Sequence, residues 1–139
     1  MAKKIDILLV EDNPGDAFLL EEMLEDIPDF NFFVKKAETL KESLHTLEKE
    51  DFDIVLLDLG LPDCVHLDGL KAVLELDKQI PVVVITGLND NHVGRKAVEL
   101  GAQSYMIKGE FSANSISQTI FHSIDRTKIL KKIRKHENE

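Results

Sequence analysis

Short apolar segments alternate with longer amphipathic segments along the whole chain. The segments 5–11, 53–58 and 81–86 contain nearly continuous runs of Ile, Leu and Val, and the weaker segment 31–37 and the segment 103–108 complete the set. Continuous apolar runs of this length are typical of parallel strands that helices cover on both faces. The pattern therefore predicts five strands.

Each apolar run is followed by a segment whose apolar residues recur at helical intervals. The predicted helices cover 15–26, 39–50, 68–77, 89–100 and about 115–135. Thr39 and Glu42 have the spacing of a capping box at the start of the second helix. Asn89 is a suitable N-cap for the fourth helix, and Gly101 suits the position after its last turn.

The spacing of apolar residues also predicts which helix faces are buried. In the first helix, the residues expected on one apolar face are Phe18, Leu19, Met23 and Leu20. In the last helix, the predicted buried stripe consists of Ile116, Ile120, Phe121 and Ile124. Ile129, Leu130 and Ile133 continue an apolar face into a tip, 126–136, that carries six Lys or Arg and no acid. The basic residues favour a solvated helix end over a surface for anionic partners. We expect the apolar face either to form a dimer contact or to begin a connector to an output domain.

Five strands that alternate with five helices predict a doubly wound α/β domain. If the weak second strand lies at one edge, the parallel sheet has the order 2-1-3-4-5, with helices on both faces, and we expect this flavodoxin-like (βα)5 arrangement. A chain of 139 residues is long enough for one such domain. We therefore expect residues 1–139 to form a single domain with its core at about 4–126 and an extended helix or tail at 127–139.

Composition excludes several other classes of protein. The apolar runs are far shorter than the roughly 18 residues of a membrane span, and the N-terminus lacks the features of a signal peptide. A net charge of −9 argues against sequence-independent nucleic-acid binding by the domain. The single cysteine, Cys64, excludes an internal disulfide and fits a reducing compartment. We expect a cytoplasmic protein without membrane insertion or direct nucleic-acid binding.

Polar side chains stand where the predicted strands end. Glu11 and Asp12 end the first strand, Asp58 the third, Thr86 the fourth and Lys108 the fifth. Because ligands of such sheets bind outside the carboxyl ends of the strands, we expect these side chains to share one edge and form a site.

The residue types at this edge indicate phosphoryl chemistry. Three converging carboxylates repel one another unless a cation neutralises them, and an all-oxygen site with room for water suits Mg²⁺. A lysine and a hydroxyl then suit the oxygens of a transferring phosphoryl group. Asp58 is the predicted nucleophile, and its product is an aspartyl phosphate.

The segments "LLVEDNPGDA", "VLLDLGLPD", "PVVVITGL" and "GAQSYMIKGE" resemble the receiver domain of two-component response regulators, over nearly the whole chain. The resemblance implies that Glu11 and Asp12 are the metal-binding acidic pair and that Asp58 is phosphorylated. It also implies that the backbone carbonyl of Gly60 completes the protein's metal ligands.

Three further roles follow from the resemblance. Thr86 is the hydroxyl that moves to meet the phosphoryl group, Lys108 pairs with that group, and Tyr105 is the aromatic switch residue that changes rotamer. The implied partners are a sensor histidine kinase or a histidine phosphotransfer protein, with an output protein or domain that the sequence does not identify. Phosphorylation-linked homodimerisation is a further expectation. Such a module catalyses only its own phosphotransfer and dephosphorylation, so it is not an enzyme in the usual sense.

The alternative is a small Mg²⁺-dependent phosphatase of the haloacid dehalogenase type. Those enzymes carry a second aspartate two residues after the nucleophile, as general acid and base. Gly60 occupies that position here, and the predicted nucleophile follows the third strand rather than the first.

The chain departs from the receiver pattern at two places. The loop 59–68 is about three residues longer than is usual, and Gly109 stands where the family usually has the proline of a Lys-Pro pair. A cis peptide without proline costs about 2.5–4 kcal/mol, whereas glycine adopts positive φ with little steric penalty. We therefore predict a trans Lys108–Gly109 peptide, a positive φ at Gly109, and a Lys108 side chain that still reaches the acidic cleft.

Overall fold

The computed structural model of the protein describes residues 3–28, 30–76, 78–87 and 90–137. The strands are β1 (Lys3–Val10), β2 (Phe30–Ala37), β3 (Ile54–Asp58), β4 (Val82–Thr86) and β5 (Ser104–Ile107). The helices are α1 (Pro14–Glu25), α2 (Leu40–Lys49), α3 (Asp68–Glu75), α4 (Asn91–Leu100) and α5 (Ala113–Glu137). These bounds differ from the predicted ones by at most two residues. Within the described ranges, no helix is both long enough and apolar enough to cross a membrane.

The five strands form one parallel sheet in the order β2-β1-β3-β4-β5, which confirms the predicted flavodoxin-like topology. Every residue of β3 and β4 is buried, as expected for central strands covered on both faces. The edge strand β2 instead alternates between half-buried and exposed residues over most of its length. Because all strands are parallel, their carboxyl ends lie along one edge of the sheet.

Two apolar cores lie on opposite faces of this sheet. On one face, α1 and α5 pack against the strands, and the helix residues buried there are Ala17, Leu20, Leu24, Ile116, Ile120 and Ile124. On the other face, α2, α3 and α4 contribute Leu47, Leu70, Val73 and Ala97. The predicted stripe of isoleucines in the last helix is thus confirmed, and Phe121 packs against it from the side at a ring distance of 4.0 Å from Phe30.

The predicted buried face of α1 is confirmed for Leu20 but is wrong for Phe18 and Leu19. The helix buries Ala17, Leu20 and Leu24, whereas Phe18 and Leu19 are 60% and 59% exposed. Apolar residues occupy most of the circumference of this helix, so their spacing alone does not select the face that meets the sheet. The contacts of α1 with β2 and α5 select the face of Ala17, Leu20 and Leu24, and Phe18 and Leu19 then point outwards.

The ends of the helices match their sequence signals only in part. Thr39 caps α2 by accepting a hydrogen bond from the Glu42 backbone N–H at 3.1 Å, but the Glu42 carboxylate bonds the N–H of Glu38 instead of that of Thr39. Gly101 ends α4 with a φ of 131°, a conformation that favours glycine. Asn89 and Asp77, predicted as a helix cap and a helix end, lie outside the described residues.

Helix α5 is the longest element, with 25 residues and a length of about 37 Å at the usual rise of about 1.5 Å per residue. Beyond its buried stripe, Ile129, Leu130 and Ile133 are 58%, 42% and 47% exposed. The helix therefore does continue past the core as an exposed face that is both apolar and basic.

Candidate functional site

The predicted carboxylates converge at the carboxyl edge of the sheet. Glu11 directly follows β1, where its backbone N–H bonds the carbonyl of Ala37, and Asp58 is the last residue of β3. One carboxylate oxygen from each of Glu11, Asp12 and Asp58 lies within 4.8 Å of the others. Glu11 and Asp58 are buried, at 5% and 4% exposure, while Asp12 is exposed at the rim. The parallel register thus produces the cluster that the strand ends predict.

Lys108 reaches into this cluster from the end of β5. Its Nζ lies 3.2 Å from Glu11 Oε1 and 3.2 Å from Asp58 Oδ2, and its backbone N–H bonds the carbonyl of Thr86. A third carboxylate, Asp16, approaches the ammonium still more closely, at 3.0 Å. The sequence argument missed Asp16, although its position in the first turn of α1, four residues after Asp12, is a signal that could have indicated it.

The peptide after Lys108 has the predicted conformation. The Lys108–Gly109 bond is trans, since no cis peptide occurs in the described ranges, and Gly109 has a φ of 84°. No atom lies within 4 Å of the point where a Cβ of Gly109 would be, so backbone conformation rather than crowding favours glycine there. The chain thus turns without a proline, and the Lys108 side chain still enters the acidic cleft.

Gly60 contacts Asp58, and Thr86 ends the neighbouring strand β4. Thr86 is only 2% exposed, and its Oγ1 is buried with no hydrogen-bond partner among the described residues. A buried hydroxyl without a partner is costly, so Thr86 Oγ1 stands to gain from a further hydrogen bond. The backbone N–H of Gly60 donates to Asp58 Oδ1 at 3.0 Å, which leaves the second oxygen, Oδ2, directed at Lys108.

The electrostatics of the cluster reflect its burial and its like charges. Burial and the neighbouring Asp58 carboxylate raise the pKa of Glu11 to about 8, against an ordinary value of 4.5. Burial opposes the charged form of Lys108, but the hydrogen bond to Asp16 and the charges of Asp58 and Glu11 raise its pKa. Lys108 therefore remains a cation and offsets only part of the negative charge.

The donor set fits a divalent cation. The cluster holds three carboxylates within 4.8 Å of one another, and Lys108 supplies only one positive charge. Oxygen ligands at an exposed rim, where water completes the coordination, are what Mg²⁺ prefers. The pKa of Glu11 is raised first by burial and then by the neighbouring Asp58 carboxylate, and a bound cation would favour the charged form of Glu11.

Tyr105 lies beside the cleft rather than in it. It is three residues before Lys108 on β5, half-buried, and packs against the core of the α2, α3 and α4 face. Its ring covers Gly94 of α4 so closely that a Cβ on Gly94 would lie 2.3 Å from ring atom Cδ2. The predicted change of rotamer stays a prediction, but the contact shows which helix it would affect.

The long loop 59–68 is held in place by two buried leucines and one carboxylate. Leu59 and Leu61 are buried, and the Asp63 carboxylate accepts hydrogen bonds from the backbone N–H groups of Leu40 and Lys41, at 2.8 and 3.0 Å. These bonds lower the pKa of Asp63, although its partial burial acts in the opposite direction. The loop that follows Asp58 is thereby fastened to the start of α2. Cys64 is a free thiol, as expected.

Curated relatives of this chain include transcriptional regulators. It is 29% identical over 92 residues to the transcriptional regulatory protein YdfI of Bacillus subtilis (strain 168), which covers 66% of this chain and 40% of that protein. It is 28% identical over 104 residues to the transcriptional regulatory protein ZraR of Escherichia coli (strain K12), which covers 75% of this chain and 23% of that protein. The chain therefore spans less than half the length of these two relatives.

Solved structures with the same fold cover nearly all of the chain. A response regulator receiver domain protein from Clostridium thermocellum superimposes with a TM-score of 0.78 at 25% identity, covering 91% of this chain and 98% of that one. NtrX from Brucella abortus, in complex with ADP, superimposes with a TM-score of 0.83 at 22% identity, covering 96% of this chain and 30% of that one. The second likeness supports the fold alone. The model of the response regulator receiver domain matches residues 7–121, and the protein belongs to that family.

Proposed function

We propose that this protein accepts a phosphoryl group on Asp58 and signals through protein–protein contacts. The observation that carries the proposal is the arrangement around the Asp58 carboxylate. Its Oδ2 lies 3.2 Å from the Lys108 ammonium, beside the acidic pair Glu11 and Asp12, and Oδ1 is held by the Gly60 N–H. This arrangement supports phosphoryl transfer because it supplies a nucleophile, positive charge and fixed donors.

The transfer balances as a displacement at phosphorus. A carboxylate oxygen of Asp58 forms a bond to the phosphorus atom of a phosphohistidine, and the bond between phosphorus and the imidazole nitrogen breaks. The nitrogen keeps the electron pair and takes up a proton, and the product on this chain is an aspartyl phosphate. Lys108 donates to the phosphoryl oxygens, and the Thr86 hydroxyl, which lacks a partner among the described residues, donates to another.

Mg²⁺ is the proposed cofactor. The side chains of Glu11, Asp12 and Asp58, with the backbone carbonyl of Gly60, would hold it. When bound, the ion neutralises the carboxylates and the charge on the transferring group. Glu11 and Asp12 would act as metal ligands, while Lys108 would bind the phosphoryl group.

The proposed phosphodonor is a sensor histidine kinase or a histidine phosphotransfer protein, in the cytoplasm. The relatives are transcriptional regulatory proteins longer than this chain. We therefore propose a receiver domain over residues 1–139, with a core at 4–126, that acts on an output protein or domain. The tail 127–139, with the exposed Ile129, Leu130 and Ile133, offers either a homodimer contact or a connection to that output. The match to the receiver family favours this role over the phosphatase alternative, since Gly60 replaces the second aspartate which that chemistry requires.

Intact mass spectrometry tests the proposal directly. Incubation with acetyl phosphate and Mg²⁺ should add the mass of one phosphoryl group to the wild type and none to Asp58→Asn. Asp51→Asn is the matched control, because Asp51 is exposed and lies outside the site. Excess chelator should abolish the reaction. Equal labelling of Asp58→Asn and the wild type would refute Asp58 as the acceptor.

A further inference from the structure

Asp16 is the carboxylate closest to the Lys108 ammonium, although it lies outside the three-carboxylate cluster. Its Oδ2 is 3.0 Å from Nζ, against 3.2 Å for Glu11 Oε1 and 3.2 Å for Asp58 Oδ2. Its side chain is 43% exposed, whereas those of Glu11 and Asp58 are 3% and 5% exposed. Asp16 therefore holds the ammonium from the solvent side of the cleft.

Helix α1 fixes where Asp16 stands. Asn13 caps the helix, and its Oδ1 accepts a hydrogen bond from the Asp16 backbone N–H at 3.1 Å. Pro14 at the first helical position favours the same helical start. The Asp16 carboxylate thus projects from a rigid first turn, so its contact with Lys108 is a built feature of the helix start.

The contact has a consequence once Asp58 carries a phosphoryl group. The ammonium must then serve the phosphoryl oxygens, and two of its three carboxylate partners change their roles. Asp58 becomes the acyl phosphate, and Glu11 belongs to the candidate metal cluster. Asp16 does neither, so it keeps its charge and its hold on Lys108, and it competes with the phosphoryl group for the same cation.

We propose that Asp16 is a positioning residue that shares Lys108 with the phosphoryl group and thereby limits how tightly the site holds that group. This inference rests on the proposed function of Asp58. Asp16 also lies near the positive end of the α1 dipole, and an acid there stabilises a helix whatever its partner. The test must therefore separate the two effects.

Fluoroberyllate, an anion that binds to carboxylates as a phosphoryl mimic, gives an equilibrium measurement. Its affinity in the presence of Mg²⁺ would be measured by fluorine NMR for the wild type, Asp16→Asn, Asp16→Glu and Glu22→Gln. Glu22 is the matched control, because it is an exposed acid of the same helix and has no ion pair within the described ranges. We expect Asp16→Asn to bind about threefold to tenfold more tightly, the scale of one net hydrogen bond that the ammonium no longer gives to Asp16 and gives to the anion instead. Glu22→Gln should match the wild type, and Asp16→Glu should stay within about twofold of it.

A second background tests whether Asp16 acts through the lysine. In Lys108→Gln, Asp16→Asn should change the affinity much less than it does beside the native lysine, as a double-mutant cycle would show. A structural role at the helix start, or direct repulsion between Asp16 and the anion, would give the same effect in both backgrounds, and that result would overturn the positioning role.

The remaining outcomes are also distinct. If the wild type binds fluoroberyllate and Asp16→Asn binds no better than Glu22→Gln, the inference fails while the proposed function stands. If the wild type binds no fluoroberyllate at saturating Mg²⁺, the proposed function fails, and the inference fails with it. Unfolding midpoints for each variant would show that the affinities compare folded proteins.

Discussion

Gly94 is the position at which a single added methyl group should most disturb the packing of Tyr105 on α4. The Cβ of an alanine at 94 would lie 2.3, 2.5 and 2.7 Å from ring atoms Cδ2, Cγ and Cε2 of Tyr105. Non-bonded carbon atoms do not approach one another this closely. The atoms involved belong to a rigid aromatic ring and not to the flexible end of a side chain. Gly94→Ala must therefore displace the ring or move α4.

The expected magnitude follows from two opposing terms. Overpacking of this kind typically costs about 1–3 kcal/mol of unfolding free energy. Replacement of glycine by alanine inside a helix gains about 1 kcal/mol, and Gly94 is the fourth residue of α4. The net effect of Gly94→Ala should be a loss of about 0–2 kcal/mol in the native protein. In a Tyr105→Ala background the clash is absent, and the same substitution should stabilise by about 1 kcal/mol.

A double-mutant cycle with chemical denaturation measures the difference between the two backgrounds, which we expect to be about 1–3 kcal/mol. Tyr105 also provides its own optical signal, because the chain contains one Tyr and no Trp. The tyrosine band in near-ultraviolet circular dichroism should change in Gly94→Ala, and it should change in the wild type when fluoroberyllate binds. Additive free energies within about 0.5 kcal/mol, together with an unchanged tyrosine band, would refute the close packing of Tyr105 on α4.

Three further predictions concern the site and its supports. Burial and Asp58 raise the pKa of Glu11 from 4.5 to about 8 in the folded chain, so without metal the free energy of unfolding should fall as pH rises between these values, by roughly a few kcal/mol. Denaturation at several pH values should show this decrease in stability, and Glu11→Gln or added Mg²⁺ should make the decrease smaller. If stability fell equally steeply with pH in Glu11→Gln, the pH dependence would not come from Glu11. Gly109→Ala should lower the free energy of unfolding by about 1 kcal/mol or more, because alanine is strained at a φ of 84°. A denaturant midpoint equal to that of the wild type would contradict this prediction. Asp63→Ala should lower the free energy of unfolding by about 1–2 kcal/mol, because two N–H groups at the start of α2 lose their acceptor. The control Asp51→Ala, at an exposed loop position, should leave the denaturant midpoint nearly unchanged.

Much of the site could be predicted from strand ends alone. Parallel strands bring their carboxyl ends to one edge, so the positions of Glu11, Asp58 and Thr86 directly after or within apolar runs were sufficient to place them together. The conformation at Gly109 was also accessible from local rules, because the absence of proline and the steric freedom of glycine leave few ways to make that turn. The local sequence was therefore sufficient to predict features that depend on only a few neighbouring residues, such as strand ends and the backbone conformation of a glycine.

The sequence by itself determined the order of the elements and the residues that end each strand, since periodicity and backbone chemistry act over a few residues. The strand order of the sheet was implied by the resemblance to receiver domains rather than by these local signals. Only the tertiary structure decided which face of α1 is buried, because apolar residues surround that helix and its rotation depends on β2 and α5. It also decided the contacts between distant segments. Asp16 meets Lys108 across 92 positions of sequence, and the ring of Tyr105 covers Gly94. These contacts depend on how the helices and strands are placed relative to one another when the two cores pack. The spacing of residues within one segment does not determine that placement.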